Sequence, residues 1–395
     1  MKRFIDTLKN IWAIKELRNR LLYTLILLVV FRLGSYIVLP GVMSDVLSNV
    51  AKGRSANDLL GLINIFTGGA FNQASILALG IMPYITASII IQVLGFAVPY
   101  FQRLQQKEGE SGRKKLNQIT RVLTVAITLV QGGAYLTYLK GVGAISPNIA
   151  QSIFWGSNIL ILTTGTVFAM WLGEKITDKG IGNGVSLLIM VGILSRLPQA
   201  FIFEFDAQMA SSGLIIFILE LAALFLIIMF TILIVQGVRK IPLQFPKKAI
   251  GGGSLAAGNR EYIPLKVNGA GVMPIIFAQA LMFLPAILAQ YFTGADAGGA
   301  SSSSFVRSLN DHFSFTYNMI YFVLIIVFTY VYTALLINPQ QYAEYLKRSN
   351  AYIPGVKPGK DTEDYIDAIT SKITFPGSVI LGIVAILPAI AVVFG

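Results

Sequence analysis

No cysteine occurs in this chain, and histidine occurs once, at His312. The first absence excludes disulfides, thiolate zinc sites, iron–sulfur clusters and cysteine nucleophiles. The second excludes a metal centre built on several imidazoles. Charge is also scarce. Asp, Glu, Lys and Arg make up 13% of the residues, against about 25% in an ordinary soluble domain. Apolar residues fill 55% of the chain, and the mean hydropathy is +0.69. Uncharged runs of roughly 20 residues match the hydrocarbon thickness of a bilayer, which makes this an integral membrane protein. What charge remains is lopsided, at net +12 with a pI near 9.7. Nucleic acid, anionic lipid and membrane topology all favour a basic chain, and the placement of the charges decides between them.

Nine candidate spans emerge: Leu21–Leu39, Ser75–Val98, Ile119–Leu139, Ile153–Leu172, Val185–Phe203, Leu214–Val235, Val272–Tyr291, Tyr317–Ile337 and Phe375–Phe394. The loops between them alternate sides. Lys and Arg concentrate on the side holding the N-terminus and the loops after the second, fourth, sixth and eighth spans. That side is therefore cytoplasmic, and topology accounts for most of the positive charge without nucleic acid. An odd number of spans puts the C-terminus outside, directly after the ninth. Residues 1–20 carry Phe4, Ile5, Leu8, Ile11 and Trp12 at helical spacing, with Lys2, Arg3, Lys9 and Lys15 among them. This reads as a cytoplasmic amphipathic segment lying along the membrane surface; the alternative is a basic tail. It lacks the cleavage site of a signal peptide.

Residues 57–70, NDLLGLINIFTGGA, are too short to cross and end in Gly68-Gly69. They read as a half-helix that dips into the protein and turns back, or as a helix packed on the outer surface. Two basic loops on the cytoplasmic side are long, at about 240–271 and 338–371. The first has a GGGS tip at Gly251–Ser254, the second two Pro-Gly turns. Topology needs only short connections, so both are read as docking surfaces, with plain solvated loops as the alternative.

Catalytic chemistry finds little footing. Gly109-Glu110-Ser111-Gly112 matches a string of intramembrane serine proteases, yet Ser111 and His312 fall on opposite faces. Gly180, Gly182 and Gly184 lack the preceding strand of a phosphate loop. Arg32 and Glu220 stand inside spans, each roughly 10–12 Å from the outer face at helical rise. Charge at that depth is costly, so each needs a polar partner, not necessarily the other. Small and polar residues such as Gly80, Thr86, Gln131 and Asn268 serve either tight helix packing or a weakly polar seam.

Six strings in order resemble the SecY family of channel subunits: FRLGSYIVLPG, FTGGAFNQASILALGIMPYITASIIIQVLG, QKEGESGRKKLNQITR, TGTVFAMWLGEKITDKGIGNGVS, PLKVNGAGVMPIIFAQ and NPQQYAEYLKRSNAYIPGVKPGKDTEDYID. Together they cover nearly the whole chain. The resemblance implies an all-α polytopic bundle of two inverted halves around a pore, here 21–212 and 213–395, with ten spans in the family and nine in this chain. It implies a protein-conducting channel for unfolded secretory polypeptides, without enzymatic activity or cofactor, in the bacterial cytoplasmic membrane.

By motif match, Ile81, Ile85, Ile189 and Ile276 form the aliphatic pore ring. The re-entrant plug falls at about 57–70, with Leu59, Leu60, Ile63, Ile65, Phe66, Gly68 and Gly69. A lateral gate, through which membrane segments leave into lipid, carries Thr86, Gln131 and Asn268. Docking of the ribosome and the SecA motor falls to Arg113, Lys114, Lys115, Arg239, Lys240, Lys247, Lys248 and Lys357. Small subunits resembling SecE and SecG complete the assembly, and signal sequences and nascent polypeptides are the cargo. Where the family has PG-I-R-PG, this chain has Pro354-Gly355-Val356-Lys357-Pro358-Gly359; lysine keeps the charge and loses the guanidinium fork. A secondary transporter of a small solute is the alternative, predicting ionisable groups at midplane. A non-transporting assembly scaffold is a third class, predicting docking without polypeptide in the pore.

Overall fold

A computed structural model of the chain describes residues 6, 9, 12–44, 46–47, 64, 67–106, 109–147, 149–211, 213–244, 261–279, 281–282 and 314–394. The helices are α1 (Lys15–Gly34), α2 (Met82–Ala97), α3 (Pro99–Gln106), α4 (Gly109–Gly141), α5 (Gln151–Lys179), α6 (Gly184–Leu194), α7 (Leu197–Ser211), α8 (Leu214–Gln236), α9 (Phe315–Leu336), α10 (Pro339–Arg348) and α11 (Lys360–Phe394). A two-stranded sheet, β1 (Val238–Leu243) with β2 (Glu261–Lys266), lies between α8 and α9. Residues 273–279 are helical at the start of the expected seventh span, and 283–291 lie outside the described residues. Phe4, Ile5, Leu8 and Ile11 of the expected interfacial segment lie outside them as well. Two compact units cluster separately, Met1–Ala207 and Gln208–Gly395. Among the described residues, six helical segments are long and apolar enough to cross a membrane.

In the first unit, α4 and α5 pack side by side over a core of Leu39, Phe71, Ala74, Tyr135, Leu136, Leu139, Phe154 and Leu162. Threonine serves α4 well at depth. Thr120, Thr124 and Thr128 lie four apart, buried, and each hydroxyl donates to the carbonyl one turn earlier at 2.7–2.8 Å. The polar side chain is thereby satisfied within its own helix.

The second expected span departs from the sequence reading. The apolar run from Ser75 is helical only from Met82. Residues 67–81 run as turns, with Ala74 at φ 46° and Gly80 at φ 53°. These left-handed residues cannot continue an α-helix, and Pro83 then begins one, at a position where its missing N–H costs nothing. Span one likewise ends early, at Gly34, and residues beyond it pair with the turns: Leu39 N–H donates to Ala74 at 2.8 Å and Ile76 N–H to Ile37 at 2.8 Å. The fifth span breaks at Ser195-Arg196 into α6 and α7. The ninth is the C-terminal part of the longer α11, which contains Pro376 and Pro388.

The described ends of the 240–271 loop are strand, β1 and β2 forming the two arms of a hairpin. β1 and β2 pair antiparallel, Arg239 opposite Leu265 and Ile241 opposite Ile263. Ile241, Leu243 and Leu265 bury against Leu346, Ala351, Ile353 and Ile366. Gln244 and Tyr352 exchange both backbone hydrogen bonds, at 2.9 and 3.0 Å. The two long basic loops thus share one small hydrophobic core.

Two outcomes follow. Gly165 on α5 abuts the Ile76 carbonyl, whereas Gly156 on the same helix faces open space. Gly165→Ala should lower the thermal midpoint of the solubilised protein, by overpacking worth about 1–3 kcal/mol, and Gly156→Ala should leave it unchanged. Ile353→Ala should cost about 2–5 kcal/mol in the shared loop core, and limited proteolysis should then cut the hairpin faster than in the parent protein.

Candidate functional site

The candidate pore residues sit where helix meets buried turn. Ile81 precedes α2 and Ile85 lies one turn on, its N–H donating to the Ile81 carbonyl at 3.1 Å. Both are buried. A Cβ placed on Gly173 of α5 would lie 3.5 Å from the Ile81 Cδ1 and 3.5 Å from the Leu188 Cδ1. Ile81 and Leu188 of α6, the sequence neighbour of Ile189, thus pack on the same glycine. Ile189 itself is half-buried, as is Ile276 in the second unit. The α6 end at this contact is fixed by Asn183, whose side chain accepts from Ser186 N–H at 3.2 Å as a helix cap.

Of the candidate gate residues, Thr86 and Gln131 are half-buried on α2 and α4, which pack together. The Thr86 hydroxyl donates to the Met82 carbonyl at 3.1 Å. Asn268 is buried in the second unit, just after β2.

Leu59, Leu60, Ile63, Ile65 and Phe66 lie outside the described residues, while Gly68 and Gly69 are described and buried. Both glycines have positive φ, 65° and 94°, which a side chain would strain. The Arg32 Nη1 donates to the Gly68 carbonyl at 3.1 Å, and its Nη2 to the Tyr36 hydroxyl at 3.2 Å. Arg32 thus has the polar partner its depth demands. Glu220 has one too, accepting from Gln208 Nε2 at 2.8 Å.

Of the candidate docking residues, Arg113, Lys114 and Lys115 are exposed on the first turns of α4. Arg239 and Lys240 are exposed on β1, and Lys357 on the turn between α10 and α11. Lys247 and Lys248 fall outside the described residues. The Lys357 backbone is pinned by the Thr362 hydroxyl, which donates to its carbonyl at 2.8 Å.

The sequence reading missed two charged groups. Arg196, at the α6–α7 break, faces Gly69. Its signal was the SRLP string interrupting an apolar run. Arg121 of α4 makes a two-pronged contact with Glu174 of α5, Nη2 to Oε2 at 2.6 Å and Nε to Oε1 at 3.1 Å. Nothing in either span alone pairs them.

The SecY family model matches residues 75–395. The SecY protein translocase subunit of Staphylococcus carnosus is 40% identical, the match covering 98% of this chain and 90% of that protein. Its counterpart from Aquifex aeolicus is 37% identical, over 97% of this chain and 89% of the relative. Among solved structures, a protein-conducting channel superposes with a TM-score of 0.67 at 17% identity, covering 95% of this chain and 90% of that one. Sec61 in a canine ribosome–channel complex superposes with a TM-score of 0.64 at 16% identity, with the same coverage of 95% and 90%. The fold is thus shared with protein-conducting channels, and by family model and relatives alike the chain belongs to the SecY family of protein translocase subunits.

Proposed function

We propose that this chain is the central channel of a bacterial Sec translocon, in which Ile81, Ile85, Ile189 and Ile276 form an apolar waist around an unfolded secretory polypeptide. The observation that carries this reading is the seat of Ile81 and Ile85. Both lie at the start of a short helix, against buried non-helical backbone that lipid would not tolerate. A polypeptide in transit has no single size or charge, so a selective polar site would fail it. An aliphatic constriction excludes water and ions when empty and adapts to many side chains when filled.

Thr86, Gln131 and Asn268 line a lateral seam through which membrane segments reach lipid. The segment 57–70 plugs the outer side. The N-terminus is cytoplasmic, and 21–212 and 213–395 are two inverted halves. Arg113, Lys114, Lys115, Arg239, Lys240, Lys247, Lys248 and Lys357 dock the ribosome and a SecA-type motor. The canine ribosome–channel complex among the solved structures supports a ribosome as one such partner. SecE-like and SecG-like subunits flank the channel, and energy for transport comes from the docked partner and the membrane potential. The small-solute transporter weighed on sequence finds no support, since the relatives are protein translocase subunits.

A photo-crosslinking residue at Ile85 or at Ile276, with a stalled secretory chain presented to the full-length membrane protein, tests the waist. Crosslinks from both positions that require a signal sequence are expected. Partner binding without crosslinks would favour an assembly scaffold or a misassigned ring.

A further inference from the structure

Two arginines converge on one two-residue turn. Arg32 reaches it from α1 and Arg196 from the break between α6 and α7. Arg32 donates to the Gly68 carbonyl at 3.1 Å. Its guanidinium also lies over the Tyr36 ring, 5.3 Å from the centroid. Arg196 covers the next residue: a Cβ on Gly69 would come within 2.6 Å of its Nη2 and 3.1 Å of its Nε. Gly68 in turn sits on Gly192 of α6, where an added Cβ would be 2.8 Å from the carbonyl oxygen and 2.9 Å from Cα. Backbone therefore rests on backbone, with a cation on each side.

The turn is tied to the chain that precedes it. Gly69 N–H donates to the Asn64 carbonyl at 2.8 Å, and Asn72 N–H to the Asn64 Oδ1 at 3.1 Å. Any displacement of Asn64 must break these bonds or drag the turn out from between the arginines. Two like charges held against adjacent residues of one buried turn repel, and charge in a span is costly. Apolar side chains would serve mere packing without that cost. A guanidinium instead offers directional donors to a carbonyl and releases them intact when the turn moves.

We propose that Arg32 and Arg196 are positioning residues that grip the Gly68-Gly69 turn, and that this grip sets how readily the channel admits a polypeptide. The inference rests on the reading of 57–70 as the plug.

The natural absence of cysteine permits a direct test in the full-length chain. Gln73→Cys places one thiol beside the turn, read by its labelling rate with a membrane-impermeant maleimide in sealed vesicles. Arg32→Gln should speed labelling about tenfold, the loss of one charge-assisted hydrogen bond, and Arg196→Gln should speed it by uncovering Gly69. Each should also admit a precursor with a defective signal sequence that the parent channel rejects. Arg32→Lys should fall between, keeping charge without the fork. Gly68→Ala, which strains the turn and spares both charges, should likewise speed labelling. Unchanged labelling and unchanged rejection in both Gln variants, at normal membrane levels, would overturn the grip. Crosslinking at Ile85 in the same vesicles separates the two readings: signal-dependent crosslinks with unmoved labelling sink the grip alone, and their absence from the parent protein sinks the channel and the grip together.

Discussion

Residues 67–81 carry non-helical backbone into a membrane bundle, where water cannot satisfy a stray N–H or C=O. The surrounding structure answers that demand group by group. Leu39 N–H serves the Ala74 carbonyl and Ile76 N–H the Ile37 carbonyl. The Tyr135 hydroxyl, buried on α4, donates to the Phe71 carbonyl at 2.7 Å. Arg32 serves Gly68. The answers come from α1 and the segment just after it and from α4, so these are arranged around this stretch. Gly165 of α5 leaves room for the Ile76 carbonyl to approach its backbone, which a larger residue would block.

The candidate pore inherits its position from that stretch. Because the turns consume residues up to 81, α2 is short, and Ile81 and Ile85 fall at its mouth. A helix running from Ser75 would have placed the same isoleucines in mid-span. Ile85 is 7% exposed, whereas Ile90 on the same helix is 38% exposed. The two differ in surroundings, not in chemistry.

That contrast marks the limit of what the residues disclose by themselves. Long apolar helices declare themselves, because an uncharged run of about 20 residues matches the thickness of the bilayer core. The start of α2 does not, since hydropathy cannot distinguish helix from irregular backbone buried in protein. Its clues are Gly80 and Pro83, and Ala74 at φ 46° has none. Arg196 escapes notice when its span is taken as one unbroken run. The hairpin was legible in principle: Ile241 and Leu243 sit two apart, as do Ile263 and Leu265, a strand period hidden by the prolines between them at 242 and 264. The choice of Ile81, Ile85, Ile189 and Ile276 over other isoleucines came from family resemblance, and no property of those residues alone would have supplied it.

The second unit solves a mechanical problem with one helix. On the docking proposed above, a push on the basic loops needs a stiff path into the membrane. Here both loops fold onto a common core that includes Ile366. Ile366 belongs to α11, and further along the same helix Leu381 packs with Ala278, Tyr317, Tyr321 and Ile325. The loop core and the apolar bundle of this unit are therefore joined by continuous helix. Pro376 lies between the two contacts, and proline removes one backbone hydrogen bond and favours a bend. The adjacent Gly377 packs directly against the Val267 carbonyl, at the end of β2. A push on the proposed docking residues Arg239, Lys240 or Lys357 would thus meet the loop core first and a bendable point second.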